Sequence, residues 1–506
     1  MYEKENQMSS KISKKFYITT TLPYVNSDPH VGFAMEIIRA DVIARYKRLT
    51  GYDVFFNTGT DEHGAKIYEN AVKQGVDVQA YVDVYAEKFK DLTKVLNIHD
   101  VHFIRTTDEK HIAAAKEMWK RCYDNGYIYK KKYQAKYCVG CELNKTDSEL
   151  ENGKCPIHPN REIELIDEEN YFFKWSQFSG RGHKDSLLDF YDRHPDFVIP
   201  DFRFNEIKAF VERGLEDFSI SRLQEKMPWG IAVPKGACDE GDDGRHVMYV
   251  WFDALTSYIS TLGWGTDEKD FSFWKEGSPV QYCGKDNLRQ QSAMWQAMLM
   301  AAGLPNSHHI IIDGFINGAD GQKMSKSLGN VINPFDVIES FKDVTDSPEE
   351  VLRFVLLHDI SSFEDGGMSL ETIKMSYQAH LANGIGNLTN RIMKMASTHL
   401  EGGAHPEELV FPVEYVQAIE SYDTRKAIEV AMKEMNALDG YIQITEPFKV
   451  IKVDLVTGKN LIEEMRMRLY TLAGLLQPFI PKTSDAIKVC VTSNTMPEKA
   501  LFSRLS

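Results

Sequence analysis

The run Phe16-Tyr17-Ile18-Thr19-Thr20-Thr21 is β-branched and aromatic. After the loop Leu22 to Pro29, apolar residues recur at helical spacing: Ala34, Ile38, Val42, Tyr46 and Leu49. Gly51 stops that helix, and a second strand is expected at Asp53 to Phe56. A strand, a helix and a strand in this order build a βαβ unit, which commits the sheet to parallel strands with helices on its faces. The turn-rich Gly59-Thr60-Asp61-Glu62-His63-Gly64 then falls at the carboxyl end of the second strand, where parallel sheets bind ligands. No Gly-x-Gly-x-x-Gly turn joins the first strand to its helix, which disfavours a dinucleotide fold of the dehydrogenase kind. The other half of the sheet is expected in Val247 to Phe252, Val280 to Tyr282 and His309 to Asp313. After Ser327 the pattern turns helical, beginning with Glu349 to His358 and continuing from Leu370 to the end. Breaks at Gly402-Gly403, Pro406, Pro412, Pro447 and Pro478 to Pro481 predict a bundle of about five helices.

A chain of 506 residues has room for several domains, and 43% hydrophobic with 26% charged residues is the composition of a soluble globular protein. No apolar run approaches the roughly 18 residues that span a bilayer, and Met1 to Gln7 lacks the apolar core of a secretory signal. A cytoplasmic location with no membrane partner is therefore expected. Lys and Arg number 59 against 74 Asp and Glu, a net charge of −15 that by itself speaks against a nucleic-acid partner. Local basic stripes, not the total, decide that question. Four cysteines are scattered (Cys122, Cys238, Cys283, Cys490), whereas Cys138, Cys141 and Cys155 are clustered, which points to metal binding in a reducing compartment. Cys138-Val139-Gly140-Cys141 and Cys155-Pro156-Ile157-His158 offer three thiolates and an imidazole in two short knuckles, the donor set of a closed tetrahedral zinc site. With all four positions filled by protein, one structural Zn2+ per chain is expected, folding a polar insertion that cannot build its own core. Three buried free cysteines beside an incidental histidine is the alternative reading.

Two further motifs carry chemistry. His30-Val31-Gly32-Phe33 opens the first helix, where backbone N–H groups and the helix dipole favour anions, and Gly32 lets a flat ring approach the backbone. Lys323-Met324-Ser325-Lys326-Ser327 puts two ammonium groups among hydroxyls, with Gly321 before it and Gly329 after it as hinges, which suits a mobile clamp on a polyphosphate. Taken singly, the first motif is also a helix cap and the second a solvated loop.

The order of strand, His-x-Gly-x helix, long insertion and Lys-Met-Ser-Lys-Ser resembles a class I aminoacyl-tRNA synthetase, and within that class the methionyl-tRNA synthetase family. The resemblance covers essentially the whole chain. Its carriers are Leu22-Pro23-Tyr24, His30, Gly59 to Gly64, the two knuckles, Val250-Trp251-Phe252-Asp253-Ala254, Gly284-Lys285-Asp286, Trp295 and Lys323 to Ser327. It implies an α/β fold, a Rossmann-like parallel-sheet catalytic domain split by a zinc-binding insertion and followed by an α-helical anticodon-binding bundle. The implied division is a flexible tail at 1–12, the two catalytic halves at 13–118 and 226–327, the insertion at 119–225, a stem-contact linker at 328–375 and the bundle at 376–506. It further implies that ATP, accompanied by Mg2+, activates L-methionine to methionyl-adenylate, and that the methionine then passes to initiator and elongator tRNA(Met). His30, Gly32, Gly284, Asp286, Lys323, Ser325 and Lys326 would hold the nucleotide. His30, Lys323, Lys326 and Arg222 would act at the reacting groups. Asp61 would hold the substrate ammonium, with Leu22, Tyr24, Trp251, Ala254, Tyr258, Gln291 and Trp295 around the side chain. Asn387, Arg391 and Phe448 would read the anticodon, although the spacing of the first two fits a solvated helix face equally well. A bundle that closes the chain leads to the expectation of a monomer.

Three residues depart from the family pattern: Phe33 replaces the second histidine of His-x-Gly-His, Gln291 a pocket histidine, and Phe448 a tryptophan presented to the anticodon. A class I synthetase for another amino acid, a nucleotidyltransferase sharing the His-x-Gly motif and a non-catalytic tRNA-binding scaffold are the competing functions. Intact Asp61, Lys323 and Lys326 argue against the last. On this reading Lys326→Ala should slow adenylate formation strongly while leaving methionine binding nearly intact, a loss of about 3–4 kcal/mol of barrier stabilisation. Single-turnover rates within threefold of the parent enzyme, roughly a fifth of that effect, would refute the assignment.

Overall fold

The computed structural model describes residues 14–141, 143–145, 149–318, 321, 322, 324 and 331–505. Lys323, Ser325 and Lys326 of the second lysine motif lie outside the described residues, as does the 1–12 tail. Six parallel strands form the central sheet: β1 (Lys15–Thr20), β2 (Asp53–Thr60), β3 (His102–Arg105), β4 (Val198–Ile199), β5 (Val280–Gly284) and β6 (His309–Asp313). Their order across the sheet is β3-β2-β1-β5-β6-β4. The direction of succession reverses between β1 and β5, which pair from Ile18 with Val280 to Thr20 with Tyr282. The crevice outside the carboxyl ends of these two strands is the position where open α/β sheets bind ligands.

The sheet departs from the sequence reading in two places. Val247 to Phe252 is not a strand of the central sheet: His246–Met248 pairs antiparallel with Ser221–Leu223 in a separate two-stranded sheet, and Val250–Ala254 turns helical. A short continuous apolar run does not by its periodicity distinguish a buried strand from a buried helical turn, and here the helix prevails. The edge position goes instead to Val198–Ile199, inside the stretch assigned to the insertion. Strand β2 also runs four residues past Phe56, through Gly59 to Thr60. A Cβ on Gly59 would lie 1.8 Å from the Ile104 carbonyl oxygen, so this glycine serves close strand approach, not a turn.

Helix α1 (Val31–Leu49) packs on β1, β2 and β5 on one side and on helix Pro348–His358 on the other. Ala34, Ile38, Val42 and Tyr46 are buried as its spacing predicts, whereas Leu49 is exposed. Charged residues around the helix are buried as well, with Glu36, Arg39, Asp41 and Lys47 inside the protein. Burying such charges is costly unless they are paired. Arg39 reaches Asp313 at the end of β6 (2.9 Å) and donates to the carbonyls of Ser361 (2.6 Å) and Ser362 (3.1 Å). Asp41 accepts from Arg45 and from the fully buried Arg353, 2.7 Å each, and Arg353 also donates to the carbonyls of Pro478 and Phe479. Lys47 pairs with Glu420 at 2.7 Å.

The insertion is an antiparallel sheet in which Ile128–Cys138 pairs with Glu164–Phe173 from Ile128–Phe173 to Tyr137–Glu164, with Leu143–Lys145 and Phe218–Ser219 at its edges. It carries the cysteine knuckles beyond the Tyr137–Glu164 end of this ladder. Beyond Pro348–His358 the chain is almost wholly helical: a run from Leu370 to His399, then Val413–Glu420, Thr424–Thr445, Pro447–Val453, Leu455–Leu476 and Pro481–Ser493. Pro447 and Pro481 occupy first turns, where a missing N–H costs nothing, so these prolines begin helices as well as separate them. One apolar cluster runs from Ile18 through Ile38 to Leu476, so the sheet, α1 and the bundle share a core. No described helix is long and apolar enough to cross a membrane.

Replacing Arg39 with methionine strands Asp313 in the interior and should destabilise the protein by about 3–5 kcal/mol. Adding Asp313→Asn should recover part of that loss. Melting temperatures of the two variants against wild type provide the check, and an Arg39→Met protein that melts with wild type would contradict it.

Candidate active site

A cleft of about 970 Å³ opens at the β1/β5 switch point. His30 caps α1 from an extended conformation (φ −128°, ψ 169°), its Nδ1 accepting the Gly32 N–H at 3.1 Å. A neutral ring bonded in this way carries its proton on Nε2 and can donate from that nitrogen. A Cβ at position 32 would lie 2.9 Å from the His30 ring, so glycine is what the cap permits. Phe33 is buried edge-on against Phe89, 5.2 Å between centroids, and both line the cleft.

Two ends of the cleft differ in character. At one, Asp61 follows β2 and is stitched to the loop after β1: its N–H donates to Pro23 O (2.9 Å), and its carbonyl accepts from Val25 N–H (3.1 Å). That stitching puts Asp61 beside Leu22 and Tyr24, and Trp251, Ala254 and Tyr258 complete an apolar wall. Gln291 and Trp295 stand behind this wall and not in its lining. Gln291 donates to the Tyr258 hydroxyl and is itself held by Gln281 (2.8 Å), while Trp295 meets the Tyr258 ring edge-on at 6.0 Å. At the other end lie His30, Gly32, Gly284 and Asp286. Lys285, between the last two, binds both Asp365 oxygens (2.8 and 2.7 Å) and lies 4.4 Å over the Phe315 ring. Glu36 and Asp313 line the cleft from α1 and β6. Burial, and then the neighbouring Asp313, push the Glu36 carboxyl well above its ordinary range despite the Thr21 N–H 2.6 Å from it. Burial likewise raises Asp313 to about 6, against the pull of Arg39.

Arg222 is not brought to the cleft. It is buried beside the insertion, donating to Ser219 Oγ (2.7 Å) and Ser221 O (2.8 Å) and lying over the rings of Tyr249 (4.4 Å) and Tyr137 (5.2 Å). The two cysteine knuckles do meet the cleft, which Gly140, Cys141, Pro156, Ile157 and His158 line on its far side. Cys138, Cys141, Cys155 and His158 converge, with Cys141 Sγ 3.4 Å from Cys155 Sγ and 3.2 Å from His158 Nδ1. A Cβ on Gly140 would sit 2.4 Å from the His158 ring, so the first knuckle is shaped around the imidazole. Three sulfur donors and one nitrogen in tetrahedral number fit Zn2+. In the bundle, Asn387 and Arg391 lie one turn apart on Asn387–His399 and are half-buried, and Arg391 is salt-bridged to Asp439. Phe448 is 44% exposed on Pro447–Val453. Both helices pack on Leu455–Leu476.

One group was missed by sequence reasoning. Asp253, between the cleft residues Trp251 and Ala254, is fully buried and accepts from two imidazoles: His63 Nδ1 at 2.7 Å and His111 Nε2 at 2.6 Å. His111 reaches Ser260 Oγ through its other nitrogen, at 3.0 Å. Burial opposes ionisation of Asp253, but the histidines outweigh it and bring its pKa down to about 2. This knot ties the loop that carries Asp61 to the helix that carries Trp251 and Ala254. A lone acid inside the apolar run Val250 to Ala254 was the available signal.

The fold and this cleft at its switch point define a class I tRNA synthetase: the sequence model of the family described as tRNA synthetases class I (M) matches residues 16–165 and 148–393. The methionine–tRNA ligase of Thermotoga maritima is 37% identical over 96% of this chain and 76% of its own, and that of Thermosynechococcus vestitus 38% identical over 94% and 90%. The Mycobacterium tuberculosis methionyl-tRNA synthetase solved with methionyl-adenylate superposes with a TM-score of 0.86 at 31% identity, over 97% of this chain and 100% of that one. The chain belongs to the methionine–tRNA ligase family.

Asp253 has a folded pKa of about 2 against an ordinary 3.8. Its ionised form therefore contributes stability in full above about pH 4, and that contribution is lost as pH falls towards 2. Asp253→Asn should lower the melting temperature at pH 6, with the gap to wild type narrowing as the pH is taken to 3. A gap that stays constant with pH would contradict the ionised assignment.

Proposed function

We propose that the cleft joins L-methionine to ATP and that the bundle selects tRNA(Met) as the acceptor. The observation that carries this reading is the division of a single cleft into an aromatic-walled pocket beside Asp61 and a helix N-terminus capped by His30. The Asp61 carboxylate suits an α-ammonium. Aromatic edges from Tyr24, Trp251 and Tyr258 suit a thioether, at about 0.3–1.5 kcal/mol per contact. Gln291 and Trp295 act on the substrate through Tyr258, by fixing its hydroxyl and its ring. In the reaction, a methionine carboxylate oxygen bonds to the α-phosphorus as the bond to the bridging oxygen breaks, and pyrophosphate leaves with that electron pair. The nucleophile is already ionised, so positioning and charge neutralisation supply the rate. His30 Nε2–H, at the N-terminus of α1, is assigned the phosphates, Gly284 and Asp286 the adenosine, and Lys323, Ser325 and Lys326 the leaving group. Mg2+ carried with ATP would neutralise charge on the pyrophosphate. Arg222 is assigned a supporting role beside Tyr137 and Tyr249, away from the reacting atoms.

Cys138, Cys141, Cys155 and His158 are assigned one structural zinc, which would hold the far wall of the cleft in shape. Asn387, Arg391 and Phe448 are assigned the anticodon, an amide and a guanidinium for base edges and a ring for stacking. For Arg391 this entails exchanging Asp439 for RNA. We further infer a cytoplasmic monomer with the division set out above: catalytic halves at 13–118 and 226–327, insertion at 119–225, linker at 328–375 and bundle at 376–506.

Amino-acid-dependent exchange of pyrophosphate into ATP, run across the standard amino acids, tests the first half of this reading. Methionine alone should support exchange. Arg391→Ala should impair charging of tRNA(Met) greatly yet barely alter that exchange, and Phe448→Ala should lose about 1–3 kcal/mol of stacking where Phe448→Trp is tolerated. Normal charging by both alanine variants, with a changed anticodon still rejected, would place discrimination elsewhere.

A further inference from the structure

Helix Pro348–His358 ends in a cluster that neither the cleft nor the knuckles use. His358, Asp359 and His380 each offer one ligand-type atom, and the three atoms lie within 4.8 Å of one another. His358 Nδ1 is 2.6 Å from Asp359 Oδ1, and the rings of His358 and His380 are 4.6 Å apart. His380 comes from a different element, the π-helical stretch Tyr377–Gly386, a widened helix type frequent at functional sites. Both imidazoles rest on Phe354: His358 is stacked on it at 4.9 Å and 17°, and His380 lies 5.9 Å away at 36°. That shared apolar floor restricts both rings, while the half-buried histidines and the exposed Asp359 keep the other side open to water. Among the described residues His380 forms ring contacts but no hydrogen bond.

We propose that His358, Asp359 and His380 form a second metal site, taking a borderline divalent ion such as Zn2+ with water completing the coordination. Two imidazoles and one carboxylate suit Zn2+, Co2+, Ni2+ and Cu2+, whereas Mg2+ and Ca2+ prefer oxygen alone. Bonds of about 2.0–2.2 Å place tetrahedral ligand atoms roughly 3.4 Å apart. No pair of ligand atoms, all within 4.8 Å of one another, need therefore close by more than about 1.4 Å, and the His358–Asp359 contact of 2.6 Å must open by about 0.8 Å, both within reach of side-chain rotation. The site differs in kind from the knuckles: it has no sulfur, three protein ligands in place of four, and a face open to solvent. It should bind more weakly and exchange readily. When filled, it would staple the end of Pro348–His358 to the helical run that starts the bundle.

The test is a titration of the intact chain with Zn2+ against a chromophoric chelator, repeated with Co2+ for its spectrum. Beyond the sulfur-bound equivalent, wild type should take up a second in the micromolar range, and the corresponding cobalt should lack thiolate-to-metal charge-transfer absorption. His380→Gln and Asp359→Asn should each weaken only this second equivalent, roughly tenfold or more, with methionine-dependent pyrophosphate exchange unchanged. Asp359 is exposed, so its variant keeps the test sound if the His380 variant folds poorly. No sulfur-free equivalent in wild type, or one that Asp359→Asn binds as tightly as wild type, overturns the proposal.

Discussion

The charges buried on α1 are the constraint on which the remaining architecture depends. An apolar helix of this length could rotate or slide between the sheet and the bundle with little penalty. Arg39, Asp41 and Lys47 forbid that, because any other register leaves a buried charge without its partner, at about 3–5 kcal/mol for each. Their partners come from the end of β6, from Pro348–His358 and from the end of the bundle helix Val413–Glu420. A buried ion pair adds little net stability when compared with well-packed apolar groups. What these pairs supply is registration: the sheet, α1 and the bundle meet in one relative placement, and the capped first turn of α1 is delivered to the carboxyl ends of β1 and β5.

The cleft is assembled by the same logic on a smaller scale. Asp61 and the aromatic wall arise from segments far apart in sequence, and two devices hold them together. The backbone stitching of Asp61 to Pro23 and Val25 works from one side, and the His63–Asp253–His111 knot works from the other. The stitching joins residues that line the cleft, Pro23 and Asp61, whereas the knot lies outside its lining. Both consist of hydrogen bonds under 3.2 Å among buried groups, which tolerate little displacement.

The features that local chemistry dictates were legible in the sequence. The βα opening, the helix-capping His30 with Gly32, the four-ligand cluster and the helical C-terminal third are set by spacing and by a few special residues. What escaped depends on tertiary context. Val247 to Phe252 carries no period that separates a strand from a buried helical turn, and its place in the sheet went to Val198–Ile199, a segment of two residues. Gly59 reads as a turn because only the neighbouring Ile104 carbonyl reveals why a side chain is excluded there. Arg222 has the charge for a phosphate contact, yet two tyrosine rings and local oxygens claim it. The resemblance puts Gln291 and Trp295 around the substrate side chain, and here they stand one layer behind the cleft lining, a distinction that exists only in three dimensions. The pairing of Arg391 with Asp439 joins residues on two different helices and was invisible for the same reason.

Helix α1 also functions as a ruler. At about 1.5 Å per residue its 19 residues span roughly 28 Å, with His30 at one end and Lys47, held by Glu420 of the bundle, near the other. An α-helix resists compression along its axis far more than it resists tilting. Motion that begins in the bundle therefore arrives at the cleft as a small swing of the His30 end, scaled by the distance from the pivot. Its length sets the mechanical gain between the two regions.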